Sequence, residues 1–172
     1  MDDFPVYAHF YTSDKLHQRF RDGSLAPEWA SAYPMIFDRD DLRLAETQAM
    51  RGYHYFEWLS AILLFHTHGM LSLVEKYNFR SHPRKRSMVE ELCDHETAQF
   101  IFRGGSEARV MCPDLLVYRP DLSDWFFCEV KGPKDRVQKN QAAWFNELQA
   151  KTGKNVYLIQ LSEVVGQIGG GL

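Results

Sequence analysis

The pattern of apolar and polar positions separates a helical first half of the chain from a strand-rich second half. Residues 41–78 contain YHYFEWLSAILLFHTHG, whose density of apolar positions is typical of a buried helix. Gly52 and Gly69 are predicted to bend or end the helices of this region. SLVEKY, which follows, is predicted to form a further short helix.

Residues 1–40 predict two short helices and offer little chemistry. SDKLHQRFRDG is predicted to form a helix with Ser13 as its N-cap and Gly23 as its stop. APEWASAYP is predicted to form a second helix, which Pro34 closes. We therefore expect an N-terminal helical extension ahead of the main domain.

Four apolar segments in the second half predict strands: AQFIFRGG, ARVMCPDLLVYRP, WFFCEVKGP and NVYLIQL. Pro83 is predicted to be the first residue of one helix. Asp135 is predicted to cap the N-terminus of another helix, which ends at Gly153. From residue 41 the order is helix, three strands, helix, strand. Short turns would make the first three strands antiparallel neighbours, and the later helix allows a right-handed parallel crossover. The pattern predicts a mixed α/β sheet flanked by helices.

Composition narrows the class of protein only a little. The chain has 172 residues, which suits one domain, and a formal net charge of −3. The charges are unevenly placed, so the slight negative balance does not exclude a nucleic-acid partner. No stretch approaches the ~20 apolar residues of a membrane span, and no secretory signal is visible. We therefore predict a cytoplasmic protein with no membrane partner.

The richest chemistry lies where two predicted strands meet across the turn PDLSD. Asp114 begins one strand, and Glu129 and Lys131 share a face at the end of the next. A hairpin would bring all three side chains near one point. Carboxylates, with the backbone carbonyl of Val130 as a neutral ligand, suit Mg²⁺, which keeps several waters. A solvent-exposed salt bridge at a strand end is the plain alternative for a Glu-x-Lys pair.

The segment PDLLVYRP…FFCEVKGPKDRVQKNQAAWF resembles the VRR-Nuc branch of the PD-(D/E)XK nucleases. The likeness is dense over residues 113–148, weaker over 53–112, and does not reach residues 1–40. It implies a restriction-endonuclease-like αβββαβ core. We accordingly expect an extension over 1–40, a nuclease domain over 41–163 and a flexible tail over 164–172.

The resemblance also implies cleavage of DNA phosphodiester bonds with Mg²⁺ or Mn²⁺ as cofactor. By motif, Asp114 and Glu129 would be metal ligands, Lys131 the catalytic lysine and Gln141 the helix glutamine. Gln141 lies on an apolar stripe of its predicted helix, and a buried amide needs hydrogen-bond partners. A structural role, in which Gln141 links the helix to the sheet, is therefore as good an interpretation as a role at the active site.

The family also carries a glutamate on its first core helix, and Glu57 is our choice. It lies within the apolar run, so it is predicted to face inward, to need a cation and to act as a metal ligand. Glu46 and Glu75 are alternatives in more polar settings, where we expect surface positions. His54, His66 and His68 are predicted to pack or cap rather than share an ion.

Two basic segments are candidates for contacts with the DNA backbone. RSHPRKR supplies Arg80, Arg84, Lys85 and Arg86, and the start of the later helix supplies further cations. These are Lys134, Arg136 and Lys139. A solvated surface is the alternative for both segments.

Our leading hypothesis is a metal-dependent DNA nuclease, structure-specific, that acts in repair, replication or mobile-element processing. The alternative is a non-catalytic module that keeps the nuclease fold to bind DNA or a protein. A surplus of aromatic residues could also supply a homodimer interface.

Overall fold

A computed structural model of the protein describes residues 4–12, 15–107 and 112–164. The described residues form one five-stranded sheet with helices around it. The strands are β1 Val6–Thr12, β2 Leu71–Val74, β3 Leu115–Tyr118, β4 Trp125–Lys131 and β5 Val156–Val164. The helices are α1 Leu16–Arg21, α2 Leu25–Ala32, α3 Arg39–Met50, α4 Tyr55–His68, α5 Pro83–Leu92, α6 His95–Glu107 and α7 Lys139–Thr152.

The sheet is mixed, with strand order β1–β5–β4–β3–β2. Strands β2, β3 and β4 are antiparallel neighbours, whereas β4 and β5 run parallel and are joined through α7. Helix α4 packs on the β2 side of the sheet. The mixed α/β sheet flanked by helices is therefore confirmed.

The first strand of the antiparallel set is not where the sequence pattern placed it. SLVEKY was expected to be helical, but Leu71–Val74 form β2 with all four residues buried. A strand buried on both faces shows no alternation, so the pattern could not distinguish it from a buried helix.

AQFIFRGG, expected to be a strand, lies within α6. Ala98, Ile101 and Phe102 are buried there at helical spacing. Just ahead of the helix, the Asp94 carboxylate accepts a hydrogen bond from the backbone N–H of Thr97 at 2.9 Å. This arrangement is typical of an N-terminal cap and is the signal that the strand interpretation overlooked.

Helix α7 begins later than predicted. Asp135 accepts a hydrogen bond from the N–H of Gly132 at 3.2 Å and closes a turn, while Gln138 is the N-cap in a capping box with Gln141. Gly153 ends the helix in the left-handed conformation, with φ of 66°, as predicted.

The N-terminal residues contribute a strand as well as the two expected helices. β1 was not predicted; it pairs in parallel with β5 and forms an edge of the sheet. Phe4 packs edge-on against Phe145 of α7, and Phe20 and Trp29 join the core around Tyr55. The described residues between 4 and 37 thus share one hydrophobic core with the rest of the described chain.

Three expectations lie outside the described residues: the Ser13 cap, the stretch 108–111 of the second predicted strand, and the tail from residue 165. Within the described ranges, no helix has the length and hydrophobicity that crossing a membrane requires.

Candidate active site

The hairpin of β3 and β4 brings Asp114 and Glu129 together. Leu115 pairs with Cys128, so the next position outward sets Asp114 opposite Glu129 on the same face. One Asp114 oxygen, Oδ2, accepts a hydrogen bond from the backbone N–H of Val130 at 2.8 Å. The N–H and C=O of a strand residue point to the same side, so the Val130 carbonyl also faces Asp114.

Lys131 and Gln141 both bind the Glu129 carboxylate. The Lys131 Nζ lies 2.7 Å from Glu129 Oε1, and the Gln141 Nε2 donates to the same oxygen at 2.9 Å. Gln141 Oε1 in turn accepts from the backbone N–H of Gln138 at 3.1 Å. The amide therefore joins the start of α7 to the end of β4, and it orients the carboxylate that it contacts.

Burial makes this group of charges unusual. Glu129 is 4% exposed and Lys131 8%, while Asp114 is half-buried. Burial, followed by the charges of Glu129 and Glu57, raises the pKa of Asp114 well above its ordinary value. Burial also raises the pKa of Glu129, although Lys131 opposes the shift.

The donor set fits a hard divalent cation. Carboxylate and carbonyl oxygens are the ligands that Mg²⁺ and Mn²⁺ prefer. The raised pKa of Asp114 reflects its burial first, and then the negative charges of Glu129 and Glu57 that face it. A dication at this point would allow both carboxyl groups to remain ionised.

A second acidic group lies next to the first. Donor atoms of His54, Glu57 and Glu75 all lie within 4.8 Å of one another, so these three residues could also hold an ion. His54 Nδ1 contacts Glu57 Oε1 at 3.0 Å and forms an ion pair with Glu75. Burial alone would lower the pKa of His54, but its bonds to the two carboxylates raise it to about 10. The imidazolium is thus the cation that Glu57 was expected to need.

Glu75 corrects the sequence analysis, which placed it in a polar surface setting. It is 5% exposed, its backbone N–H donates to the Asp114 carbonyl at 2.7 Å, and its Oε2 accepts from the Gln48 amide at 2.8 Å. Trp58 holds Gln48 through its indole N–H. Gln48 was not predicted to lie at the site, and Glu75 was only an alternative to Glu57, because the strand that ends at Val74 was interpreted as a helix.

The backbone around this second group is strained. His54, Glu75 and Lys76 have φ of 66°, 47° and 51°, in the left-handed region that non-glycine residues rarely adopt. Such conformations persist only where the surroundings hold them, and they cluster at functional sites. His54 was predicted to pack or cap. It occupies the N-cap position of α4 without a side-chain cap, and it binds the two glutamates instead.

The basic segment of α5 does not present all its cations to solvent. Lys85 is 1% exposed and forms an ion pair with Asp41 at 2.7 Å, so its predicted contact with DNA is wrong. Arg84 forms ion pairs with Asp38 and Asp41. Arg86 donates to the backbone carbonyl of Asn78 at 3.0 Å.

The basic segment before α7 is arranged differently. A cleft of about 760 Å³ lies beside Lys131, and Arg136 and Lys139 line it. Lys134 is exposed and does not line this cleft. Two of the three predicted contacts therefore line a cleft together with Lys131, whose ammonium contacts Glu129.

The family model of the VRR-NUC domain matches residues 59–161. This match covers more than half of the 172 residues, and the chain belongs to the VRR-NUC domain family. It is therefore a nuclease-family domain of the PD-(D/E)XK superfamily, as the strand-end motif predicted. The matched range contains Glu75, Asp114, Glu129 and Gln141, and it begins two residues after Glu57.

A search of curated proteins finds no match for this chain. Among solved structures, "Crystal structure of paFAN1 bound to 2nt 5'flap DNA with gap" is similar at a TM-score of 0.34 and 16% identity. The alignment covers 88% of this chain and 22% of that one. A TM-score this low does not support an assignment of the fold. The fold is therefore assigned from the family match and the observed topology.

Proposed function

We propose that this protein is a Mg²⁺- or Mn²⁺-dependent nuclease that hydrolyses DNA phosphodiester bonds. The observation that carries the proposal is the convergence of two buried carboxylates and a buried lysine at the ends of β3 and β4. Membership of the VRR-NUC family supports a nuclease, and the cation-lined cleft beside Lys131 supports a polyanionic substrate.

Asp114 and Glu129 would hold the ion, with the Val130 carbonyl as a neutral ligand. A bound divalent ion lowers the pKa of a coordinated water and neutralises charge on the phosphate. Gln141 fixes the orientation of Glu129 through the hydrogen bond at 2.9 Å. Asp114 is fixed in the same way by the N–H of Val130, so both ligands are pre-positioned.

Lys131 is positioned to stabilise negative charge at the reacting phosphate. Its ammonium lies on the same face as Glu129 and also lines the cleft where we place the DNA. In a buried setting, a fixed cation stabilises the anionic transition state more strongly than it would in water. The lysine could also orient the attacking water by donating a hydrogen bond to it.

Glu57 would assist in holding a cation, together with Glu75, which the sequence analysis gave as an alternative to Glu57. His54 could join them as a ligand only as the neutral imidazole, after losing the proton that pairs it with the two glutamates. The three donors lie close enough to share one ion, and the charges of Glu57 and Glu75 act on Asp114. This second group therefore belongs to the same active site as the Asp114–Glu129 pair.

The DNA backbone would follow the cleft beside Lys131. Arg136 and Lys139 are both exposed there and can contact phosphates, which position a strand without reading its sequence. The strand would then pass the ends of β3 and β4, where the carboxylates lie.

The first test replaces Lys131 with Met and Asp114 with Asn, both close in size to the native residues. Each variant should lose cleavage by a factor of about 10³ or more, since each removes a charge that acts on the reacting groups. Only Asp114→Asn should also weaken Mn²⁺ binding measured by calorimetry. Glu147→Gln removes an exposed carboxylate from α7 and should behave as wild type.

Thermal melting must show that these variants are folded. Wild-type cleavage by either folded variant would contradict the assignment. A folded wild-type protein that binds DNA but cleaves no substrate would instead favour a non-catalytic module.

The second test concerns the substrate class. Labelled linear, flapped, forked and junction DNAs should be cleaved with Mg²⁺ or Mn²⁺ and left intact with a chelator. Preference for a branched substrate would support a structure-specific enzyme in repair, replication or mobile-element processing. Equal cleavage of all forms would exclude that specificity.

A further inference from the structure

A second concave surface lies beside the segment that follows Glu75 in the chain. It is a pocket of about 320 Å³ between the segment after β2 and helices α5 and α6. Three arginines, each from a different element, line it together with Phe79, Gln99 and Phe102: Arg80, Arg86 and Arg103. We call it the arginine pocket.

The arginine pocket is strongly electropositive. Within the described part of the chain, its lining includes no aspartate or glutamate. It combines three guanidinium groups with the side-chain amide of Gln99, which can donate a further hydrogen bond. Donors of this kind, which carry positive charge, favour an anion, although Arg103 also lines a neighbouring cleft that contains Asp94 and Glu96.

One of the arginines is fixed in place. The Arg86 guanidinium lies 3.5 Å from the centre of the Phe102 ring, and it donates to the Asn78 carbonyl at 3.0 Å. A planar guanidinium that is already held in this way loses little freedom when it binds a ligand. Arg80, in contrast, is exposed at the mouth of the pocket.

A short segment of the chain, from Glu75 to Arg80, connects the active site to the arginine pocket. Glu75 donates its N–H to the Asp114 carbonyl, and the Tyr77 hydroxyl donates to the Pro113 carbonyl at 2.8 Å. Arg80 follows Glu75 by five residues, so their Cα atoms are at most about 18 Å apart. A strand bound at the carboxylates could therefore place another phosphate, a few nucleotides away, in the pocket.

We propose that the arginine pocket binds a phosphate group of the nucleic-acid strand that enters the active site. Arginine forks bind phosphate oxygens through paired, charge-assisted hydrogen bonds. Phe79, which is 38% exposed, offers a ring on which an adjacent base could stack. This inference depends on the proposed nuclease function for its choice of ligand. Such a subsite would offset the repulsion between the strand and the carboxylates.

The test compares Arg80→Gln and Arg103→Gln with the control Arg119→Gln, which removes an exposed arginine from the β3–β4 turn. Binding of a fluorescent single-stranded oligonucleotide is measured by anisotropy in chelator, across a range of salt concentrations. Each pocket variant should bind about three- to tenfold more weakly, and the slope of log K against log salt should fall by about one.

Arg119→Gln should leave both quantities unchanged. Arg80→Lys keeps the charge without the fork and should bind with intermediate affinity. Thermal melting establishes that each variant is folded. Pocket variants that are folded and match Arg119→Gln in affinity and salt slope would overturn the proposal.

The source of the phosphate is distinguished with oligonucleotides that end in a 5′-phosphate, a 3′-phosphate or hydroxyl groups only. If the Arg80 effect is the same for all three, the pocket binds an internal phosphate; if it requires one terminal phosphate, the pocket binds that end. If the wild-type protein cleaves DNA and the pocket variants bind DNA as the wild type does, the phosphate site is contradicted and the proposed nuclease is not. If the pocket variants bind DNA more weakly but the wild-type protein cleaves no substrate, the proposed nuclease is contradicted instead.

Discussion

The two basic segments near the active site look alike in sequence and serve different purposes in the structure. Residues 84–86 and residues 134–139 each carry three cations beside the start of a helix. Both were predicted to bind the DNA backbone. Only the second places cations in the cleft beside Lys131, whereas the first directs its central lysine into the protein.

The first segment faces carboxylates that belong to a distant part of the chain. Asp41 of α3 is 1% exposed and forms ion pairs with both Arg84 and Lys85. The Lys85 ammonium also donates to the backbone carbonyls of Val74 and Glu75. It therefore supports the end of β2, where the strained backbone turns Glu75 towards the active site.

The second segment has a different environment. Arg136 and Lys139 are exposed, and the cleft that they line contains apolar groups such as Phe4 and Leu158. Its one acid among the described residues, Asp135, accepts a hydrogen bond from the N–H of Gly132. The comparison teaches that a run of basic residues does not reveal its role until the acids that face it are known. For Lys85, the acid lies more than forty residues earlier in the chain.

The largest expected effect is on stability, from Lys85→Met. The change leaves two backbone carbonyls without their donor and the buried Asp41 carboxylate with Arg84 as its remaining cation, and removing one partner of a buried pair costs about 3–5 kcal/mol. The free energy of unfolding, from urea titration, measures the loss. Adding Asp41→Asn should recover part of it, because the buried carboxylate that Lys85 neutralised is then also removed.

If Lys85→Met instead unfolds at the same urea concentration as the wild type and binds DNA more weakly, both basic segments contact DNA. In that case Lys85 would be a DNA contact and the buried ion pair would contribute little.

Most of the site around β3 and β4 could be predicted from local sequence. Asp114, Glu129 and Lys131 are linked by one short turn, so strand alternation and a hairpin are enough to bring them together. The same is true of Gln141, which follows Glu129 by twelve residues and contacts it. Their roles as metal ligands and catalytic groups stay predictions.

The other half of the site could not be predicted in this way. Glu75 reaches it because β2 pairs with β3 across more than forty residues, and because two consecutive residues adopt left-handed backbone conformations. Neither fact has a local sequence signal: the short strand is buried on both faces, and the turn contains no glycine. His54 and Gln48 both contact Glu75, so placing Glu75 on the surface also left their roles at the site unpredicted.

A smaller effect is expected on DNA affinity, from Arg136→Gln and Lys139→Gln. Each change should weaken binding to DNA of any sequence by about fivefold and reduce the salt slope by about one, since phosphate contacts carry no sequence information. Unfolding free energy should stay at the wild-type value. Lys151→Gln, about 18 Å further along the same helix, is the matched control.

Anisotropy titrations at several salt concentrations measure both quantities. A folded Arg136→Gln/Lys139→Gln double variant that binds like Lys151→Gln would show that the cleft beside Lys131 is not the path of the DNA. The two basic segments would then differ in the burial of their cations and not in their contact with DNA.

The smallest expected effect comes from Arg84→Gln. Arg84 is 40% exposed in its ion pairs with Asp38 and Asp41, so solvent screens them, and the loss should be below about 1 kcal/mol. The loss should shrink further in about 1 M salt, whereas that of Lys85→Met should persist because its pair is buried. Urea titrations at low and high salt measure both. A salt-independent loss for Arg84→Gln as large as that for Lys85→Met would mean that Asp41 depends on both cations equally, and that Arg84 and Lys85 have the same structural role.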